Sequence, residues 1–148
     1  MNVWQLAATF FYLGKLPVAP GSFGSFATLL IWLFLPLNYL FQIIIIIILF
    51  ILGIISSNIV SKEMNDHDPS EIIIDEVIGM GIALFMLPHD FILYLLAFFI
   101  FRILDIFKPS FIYEVQKLPY GWGIMLDDVI AGIFTWLTCQ GIYTILWM

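Results

Sequence analysis

From residue 39 to residue 57 the chain runs without a single charge and passes through six consecutive isoleucines, residues 43–48. A helix of about 20 apolar residues is what a bilayer core of ~30 Å demands. The run therefore reads as lipid-facing hydrocarbon. The remainder is of the same kind: 63% of the 148 residues are hydrophobic and 11% are charged, with a mean hydropathy of +1.09. Such a composition excludes an ordinary soluble domain. The expected fold is a single all-α domain over residues 1–148, a small polytopic membrane helix bundle of about five spans with short interfacial helices.

Breakers divide the chain. Helices are expected over 23–35, ended by Pro36-Leu37-Asn38; over 39–57; over 71–87, ended by Pro88-His89-Asp90; over 91–107, stopped by Lys108-Pro109; and over 127–147. Residues 1–13 carry a narrow polar stripe (Asn2, Gln5, Thr9, Tyr12) and residues 111–118 oppose Glu114 and Lys117 to an apolar side, so both read as interfacial helices. The apolar start lacks a basic leader, so no cleavable signal peptide is expected. With five spans, Lys15, Lys62, Arg102, Lys108 and Lys117 all fall on one side, which the positive-inside rule makes cytoplasmic. Met1 would then lie inside and Met148 outside.

The carboxylates sort to the same side. Asp75-Glu76 lie near the start of one helix and Asp127-Asp128 open another, within similar hexads, and adjacent acids point about 100° apart. Asp105 sits between Arg102 and Lys108 at i, i+3, i+6 spacing. A bland account has the cations snorkelling to the interface and the aspartates serving a helix dipole. The functional account is that charge beside hydrocarbon is costly and marks a site. Asp75, Glu76, Asp105, Asp127 and Asp128 together offer hard oxygen ligands suited to Mg²⁺. Zinc fits poorly, since His67 and His89 fall on opposite faces and no thiol is near. Lys15, Lys108 and Arg102 among the acids suit an anionic substrate such as a phosphate. In the glycine-rich stretch 14–25, Ser22 or Ser25 can cap a helix or help line an anion site.

Other functions are poorly supported. A formal net charge of −6 argues against nucleic acid and is awkward beside anionic headgroups unless cations neutralise the acids. The single Cys139 makes no disulfide, and the arginine a cysteine phosphatase needs six residues beyond it is Ile145. The histidine pairing of histidine-based lipid phosphatases, the aspartate pattern of CDP-alcohol phosphatidyltransferases and a Walker loop are all missing.

Three blocks then stand out: Leu16-Pro17-Val18-Ala19-Pro20-Gly21-Ser22-Phe23-Gly24-Ser25; Asp68-Pro69 with Ile74-Asp75-Glu76-Val77-Ile78-Gly79; and Phe101-Arg102, Asp105-Ile106-Phe107-Lys108-Pro109 with Gly123-Ile124-Met125-Leu126-Asp127-Asp128-Val129-Ile130-Ala131-Gly132. In order and spacing they resemble the phosphatidylglycerophosphatase A family. One departure is Ser22, where the family often carries threonine. The resemblance implies Mg²⁺-dependent hydrolysis of phosphatidylglycerophosphate to phosphatidylglycerol and phosphate at the bacterial inner (cytoplasmic) membrane, with the active site cytoplasmic. It carries the acidic motif residues onto Asp75, Glu76, Asp105, Asp127 and Asp128 but does not divide them into metal ligands and proton carriers; the expected metal set is the two adjacent pairs, Asp75, Glu76, Asp127 and Asp128. The cationic ones fall on Lys15, Arg102 and Lys108. Two alternatives stay open: a broader lipid phosphatase acting on phosphatidic acid or lysolipids, and a small cation transporter with intramembrane acids.

Overall fold

The apolar run becomes the longer part of one 26-residue helix, and its two faces are inverted relative to a soluble protein. In the computed structural model, which describes residues 2–147, helix α3 (Tyr39–Met64) buries Gln42, Gly53, Ser56, Ser57 and Ser61. It exposes Ile44, Ile47, Ile48, Ile51, Leu52 and Ile55. Polar and small groups face the other helices while isoleucines at i, i+3, i+4 spacing face outward, the pattern expected when the surroundings are lipid. Gln42 shows what the buried face does: its Nε2 donates to the Pro36 carbonyl at 3.1 Å, and its Oε1 accepts from the Met86 N–H at 2.9 Å. It ties two turns together at the end of the bundle away from the acids.

Around α3 the described residues form α1 (Val3–Ala8), a single 3₁₀ turn at Leu13–Lys15, α2 (Pro20–Phe34), α4 (Ile74–Ala83), α5 (Phe91–Phe107), α6 (Ser110–Gln116) and α7 (Gly121–Trp147), with no strand among them. The all-α expectation holds. Capping accounts for the starts of α1, α3 and α5: Asn2, Asn38 and Asp90 each accept a backbone N–H from the first turn. The stripe on the first segment finds partners within the protein, with Asn2 also donating to Glu63 of α3 at 3.0 Å and Thr9 donating to the Gln5 carbonyl at 2.7 Å.

About five spans is an overcount. Among the described residues two helices, Tyr39–Met64 and Gly121–Leu146, are long and apolar enough to cross a membrane. Helices α2 and α5, with 15 and 17 residues, fall short of the ~20 required. Helix α4 holds ten residues rather than the seventeen expected: it starts at Ile74 rather than at 71, and the chain leaves it after Ala83, beyond which Met86 adopts a left-handed backbone, φ 55°. The one-sided arrangement of cations presupposed five crossings, so the expected orientation no longer follows from it. Met1 and Met148 themselves lie outside the described residues.

The helix starts also shift. Helix α2 begins at Pro20, so Ser25 does not cap it; its hydroxyl donates to the Gly21 carbonyl one turn back, at 2.9 Å. Helix α7 begins at Gly121, six residues earlier than expected. Gly121 permits this by close packing, since a Cβ there would lie 2.5 Å from the Ile54 carbonyl of α3. Asp127 and Asp128 therefore sit nearly two turns inside α7, beyond the reach of its first-turn N–H groups. The dipole account of that pair is removed.

Candidate active site

Two glycines decide which acids meet. Helix α4 packs on α7 with Gly79 against Gly132; a Cβ on Gly132 would strike the Gly79 carbonyl, and one on Gly79 would lie 2.7 Å from the Asp128 carbonyl. One turn before the glycine on each helix stands an aspartate, Asp75 on α4 and Asp128 on α7. The crossing thus sets Asp75 against Asp128, with Asp127 beside them. Ligand oxygens of Asp75, Asp127 and Asp128 lie within 4.8 Å of one another, and so do those of Glu76, Asp105 and Asp128. Asp105 comes from the last turn of α5. All five expected carboxylates are brought together.

Their surroundings leave them short of partners. Asp75 and Asp105 are 8% exposed, Asp127 1% and Asp128 2%. Asp75 Oδ1, Glu76 Oε2 and Asp128 Oδ2 are buried with no hydrogen-bond partner among the described residues. A buried ionised carboxylate without a donor is strongly unfavourable, so the set is built around something positive. Two cations from the chain supply part of it. Arg102 bonds Asp105 and lies 3.8 Å from Glu76 Oε1. Lys108 Nζ donates to Asp127 Oδ2 at 2.7 Å. Burial works to lower the Lys108 ammonium, yet the bond to Asp127 and the charges of Asp127, Asp128 and Asp68 more than offset it and hold it above the ordinary lysine range. The hard carboxylate oxygens of Asp75, Glu76 and Asp128 that are left without donors fit Mg²⁺.

A cleft of about 300 Å³ opens onto this cluster. Ala19, Pro20 and Gly21 form one wall, Asp68, Pro69 and Ser70 another, and Asp75, Glu76, Arg102, Asp105 and Lys108 also line it. Gly21 is required by contact: a Cβ there would collide with Glu76 Oε1 and lie 3.2 Å from Arg102 Nη1.

Not every expected residue arrives. Among its described lining the cleft does not include Lys15, Ser22 or Ser25, and the buried Asp127 and Asp128 are not part of it either. Lys15 is exposed, its ammonium 5.2 Å from the centroid of the Tyr12 ring. Ser25 is fully buried within α2. His67 stacks near Tyr120 outside the cleft, and His89 lies against Tyr94. Two wall residues, Gly21 and Asp68, were not singled out from sequence, although both stand in the blocks that carried the resemblance. Asp68 is held by Gln116 Nε2, which donates to its Oδ2 at 2.8 Å.

Helices long enough to cross a membrane, joined to a recessed set of carboxylates and cations that fits a metal and a phosphate, define a membrane-associated helical phosphatase. Comparison with known proteins gives the particular one: the phosphatidylglycerophosphatase A family model matches residues 6–143, and the chain belongs to that family. It is 37% identical over 139 residues to phosphatidylglycerophosphatase A of Escherichia coli (strain K12), covering 90% of this chain and 80% of the relative. It is 36% identical over 138 residues to phosphatidylglycerophosphatase A of Haemophilus influenzae, covering 90% and 85%. A Bacteroides thetaiotaomicron protein named "Putative phosphatidylinositol-3-phosphatase" is 32% identical over 141 residues, covering 89% and 88%. No solved structure matches. Membership in a phosphatase family sets aside the transporter reading.

Proposed function

We propose that the protein hydrolyses the terminal phosphate monoester of phosphatidylglycerophosphate, releasing phosphatidylglycerol and phosphate, with Mg²⁺ at the cytoplasmic face of a bacterial inner membrane. The observation that carries this is the cleft of about 300 Å³, where Asp75, Glu76 and Asp105 meet Arg102 and Lys108, with Asp127 and Asp128 clustered against them. Arg102 and Lys108 orient the phosphate and hold the charge that develops on its oxygens. A carboxylate of the cluster takes the proton of the attacking water. Asp75, Glu76, Asp127 and Asp128 would hold Mg²⁺, whose contribution when bound is Lewis-acid polarisation of the phosphoryl oxygens. The apolar outer faces of α3 and α7 keep the chain in the bilayer, so a headgroup phosphate reaches the cleft without leaving the lipid surface.

The name of the Bacteroides relative favours a second reading, a lipid phosphatase that also accepts other phosphorylated headgroups. Phosphate release from liposomes holding phosphatidylglycerophosphate, phosphatidic acid or phosphatidylinositol 3-phosphate, with and without Mg²⁺, decides between them. The proposal expects Mg²⁺-dependent release from phosphatidylglycerophosphate well ahead of the others. Equal rates on all three would establish the broader enzyme, and no release from the first would end the proposal.

A further inference from the structure

We infer that the site holds two divalent cations that share Asp128, one among Asp75, Asp127 and Asp128 and the other among Glu76, Asp105 and Asp128. This deepens the proposed metal-dependent phosphatase reading and rests on it. The first ground is geometric. Each triad has its ligand oxygens within 4.8 Å of one another, and Asp128 belongs to both. A carboxylate common to two ions holds them about 3.5–4 Å apart, the separation at which a metal pair clamps both the attacking and the leaving oxygen of a phosphoryl transfer.

The unpartnered oxygens are a second ground, independent of the spacing. Asp75 Oδ1, Glu76 Oε2 and Asp128 Oδ2 are buried without a donor, and they are distributed over both triads. A single ion within the first triad would leave Glu76 Oε2 unanswered. A single ion in the second would leave Asp75 Oδ1 so.

Charge is the third. The five clustered carboxylates and Asp68 of the cleft wall face two cations of the chain, which leaves four formal negative charges. One divalent ion leaves the site negative and repels a phosphate; two neutralise it. Each triad already carries one cation at its edge, Lys108 on Asp127 and Arg102 on Asp105. Neither reaches the shared residue: Asp128 Oδ2 has no partner.

Mn²⁺, used in place of Mg²⁺, allows the ions to be counted and their coupling read by electron paramagnetic resonance on the full chain in neutral maltoside micelles. Two Mn²⁺ per wild-type chain, with the exchange-coupled signal of a bridged pair, are expected. Glu76→Gln and Asp127→Asn each remove one ligand from one triad and should each bind a single Mn²⁺ with an uncoupled six-line signal. Circular dichroism and elution volume identify any variant that has not folded, and the wild-type count stands without them. One ion per wild-type chain, or two uncoupled ions, overturns the inference, as do two coupled ions retained in both folded variants. Liposome hydrolysis measured in parallel separates this from the underlying function. A one-ion wild type that still cleaves phosphatidylglycerophosphate leaves the phosphatase reading standing, and a coupled pair without hydrolysis leaves only the metal site.

Discussion

Gly132 of α7 lies against the carbonyl of Gly79 in α4, leaving no room for a Cβ at the crossing. Small residues at such crossings let helix backbones approach, and here the approach sets the register of the acids one turn away. Gly132→Ala must push the two helices apart. The expected cost is about 1–3 kcal/mol in stability, as for overpacking. A shift near 1 Å between Asp75 and Asp128 should lower kcat by roughly 10²-fold. A Cβ on Gly141, further along α7, would meet nothing within 4 Å. Gly141→Ala should therefore be neutral, or stabilise by up to about 1 kcal/mol through helix propensity. Thermal melts and phosphate release on both variants check this; equal activity in Gly132→Ala and wild type would remove the crossing from the site's design.

Removing charge at constant shape addresses the cluster directly. Asp75→Asn and Asp127→Asn should each reduce kcat by roughly 10²-fold or more if each acts as metal ligand or base. Both should still fold, because a neutral amide in a buried place costs less than an unpaired carboxylate. Near-normal turnover in Asp127→Asn would leave that residue as a mere partner for Lys108.

The pairing of Asp75 with Asp128 shows how far sequence could reach. The similar hexads suggest that Asp75 matches Asp127 and Glu76 matches Asp128, but the glycines cross at Gly79 and Gly132, which matches Asp75 to Asp128 instead. Acidic identity is a local property and was legible; register depends on which backbones can touch, and that is tertiary. The same division runs through the fold. Helix α5 was legible at both ends because Asp90 caps it and Pro109 follows its end. The early start of α7 was not, since Gly121 and Gly123 look like loop residues until α3 and α6 are packed against them. Helix α4 ends inside an apolar run because Gln42, distant in sequence, receives the Met86 N–H. Lys15 belongs to a recognisable block, yet its ammonium lies over Tyr12 rather than in the cleft.

That placement of Lys15 is itself testable. An exposed cation outside the cleft contributes little, so Lys15→Ala should change kcat/KM by less than about threefold at physiological salt. Steady-state kinetics on liposomes measure it. A loss of roughly 10²-fold, the size expected when a donor to the developing phosphoryl charge is removed, would mean that Lys15 swings onto the bound phosphate.

Metal removal should be visible in stability as well as in activity. The unpartnered oxygens of Asp75, Glu76 and Asp128 repel one another without a cation. An ion bound only by the folded chain at 100 times its Kd stabilises by about 2.7 kcal/mol. Chelation should therefore lower the melting temperature, and Mg²⁺ restore it in a concentration-dependent way. The shift should shrink in Asp128→Asn, and a melting temperature indifferent to Mg²⁺ in the wild type would argue against a resident ion.

Lys108 offers the sharpest division between a structural and a substrate-binding cation. Its Nζ is 2.7 Å from Asp127 Oδ2, with 23% of the lysine side chain exposed against 2% of the aspartate's. The ammonium therefore faces Asp127 on one side and the cleft on the other. Its folded value is raised, so its stabilising contribution is complete below the ordinary lysine value of 10.5 and is lost only as pH rises through the raised one. Lys108 itself stays charged across neutral pH, so any change in rate there comes from other groups. If Lys108 holds the substrate phosphate, Lys108→Ala should cost about 2–5 kcal/mol in kcat/KM, as when one partner of a desolvated charge pair is removed. Lys108→Arg should recover part of that, since a planar fork does not replace a point charge in a tight recess. The double variant Lys108→Ala with Asp127→Asn separates the two roles. A lysine that only neutralises Asp127 becomes dispensable once Asp127 is neutral, so the double variant would be no slower than Asp127→Asn alone. A lysine that binds phosphate is still missed, and the double variant falls further; that is the expected result, read as kcat/KM on phosphatidylglycerophosphate liposomes at matched Mg²⁺.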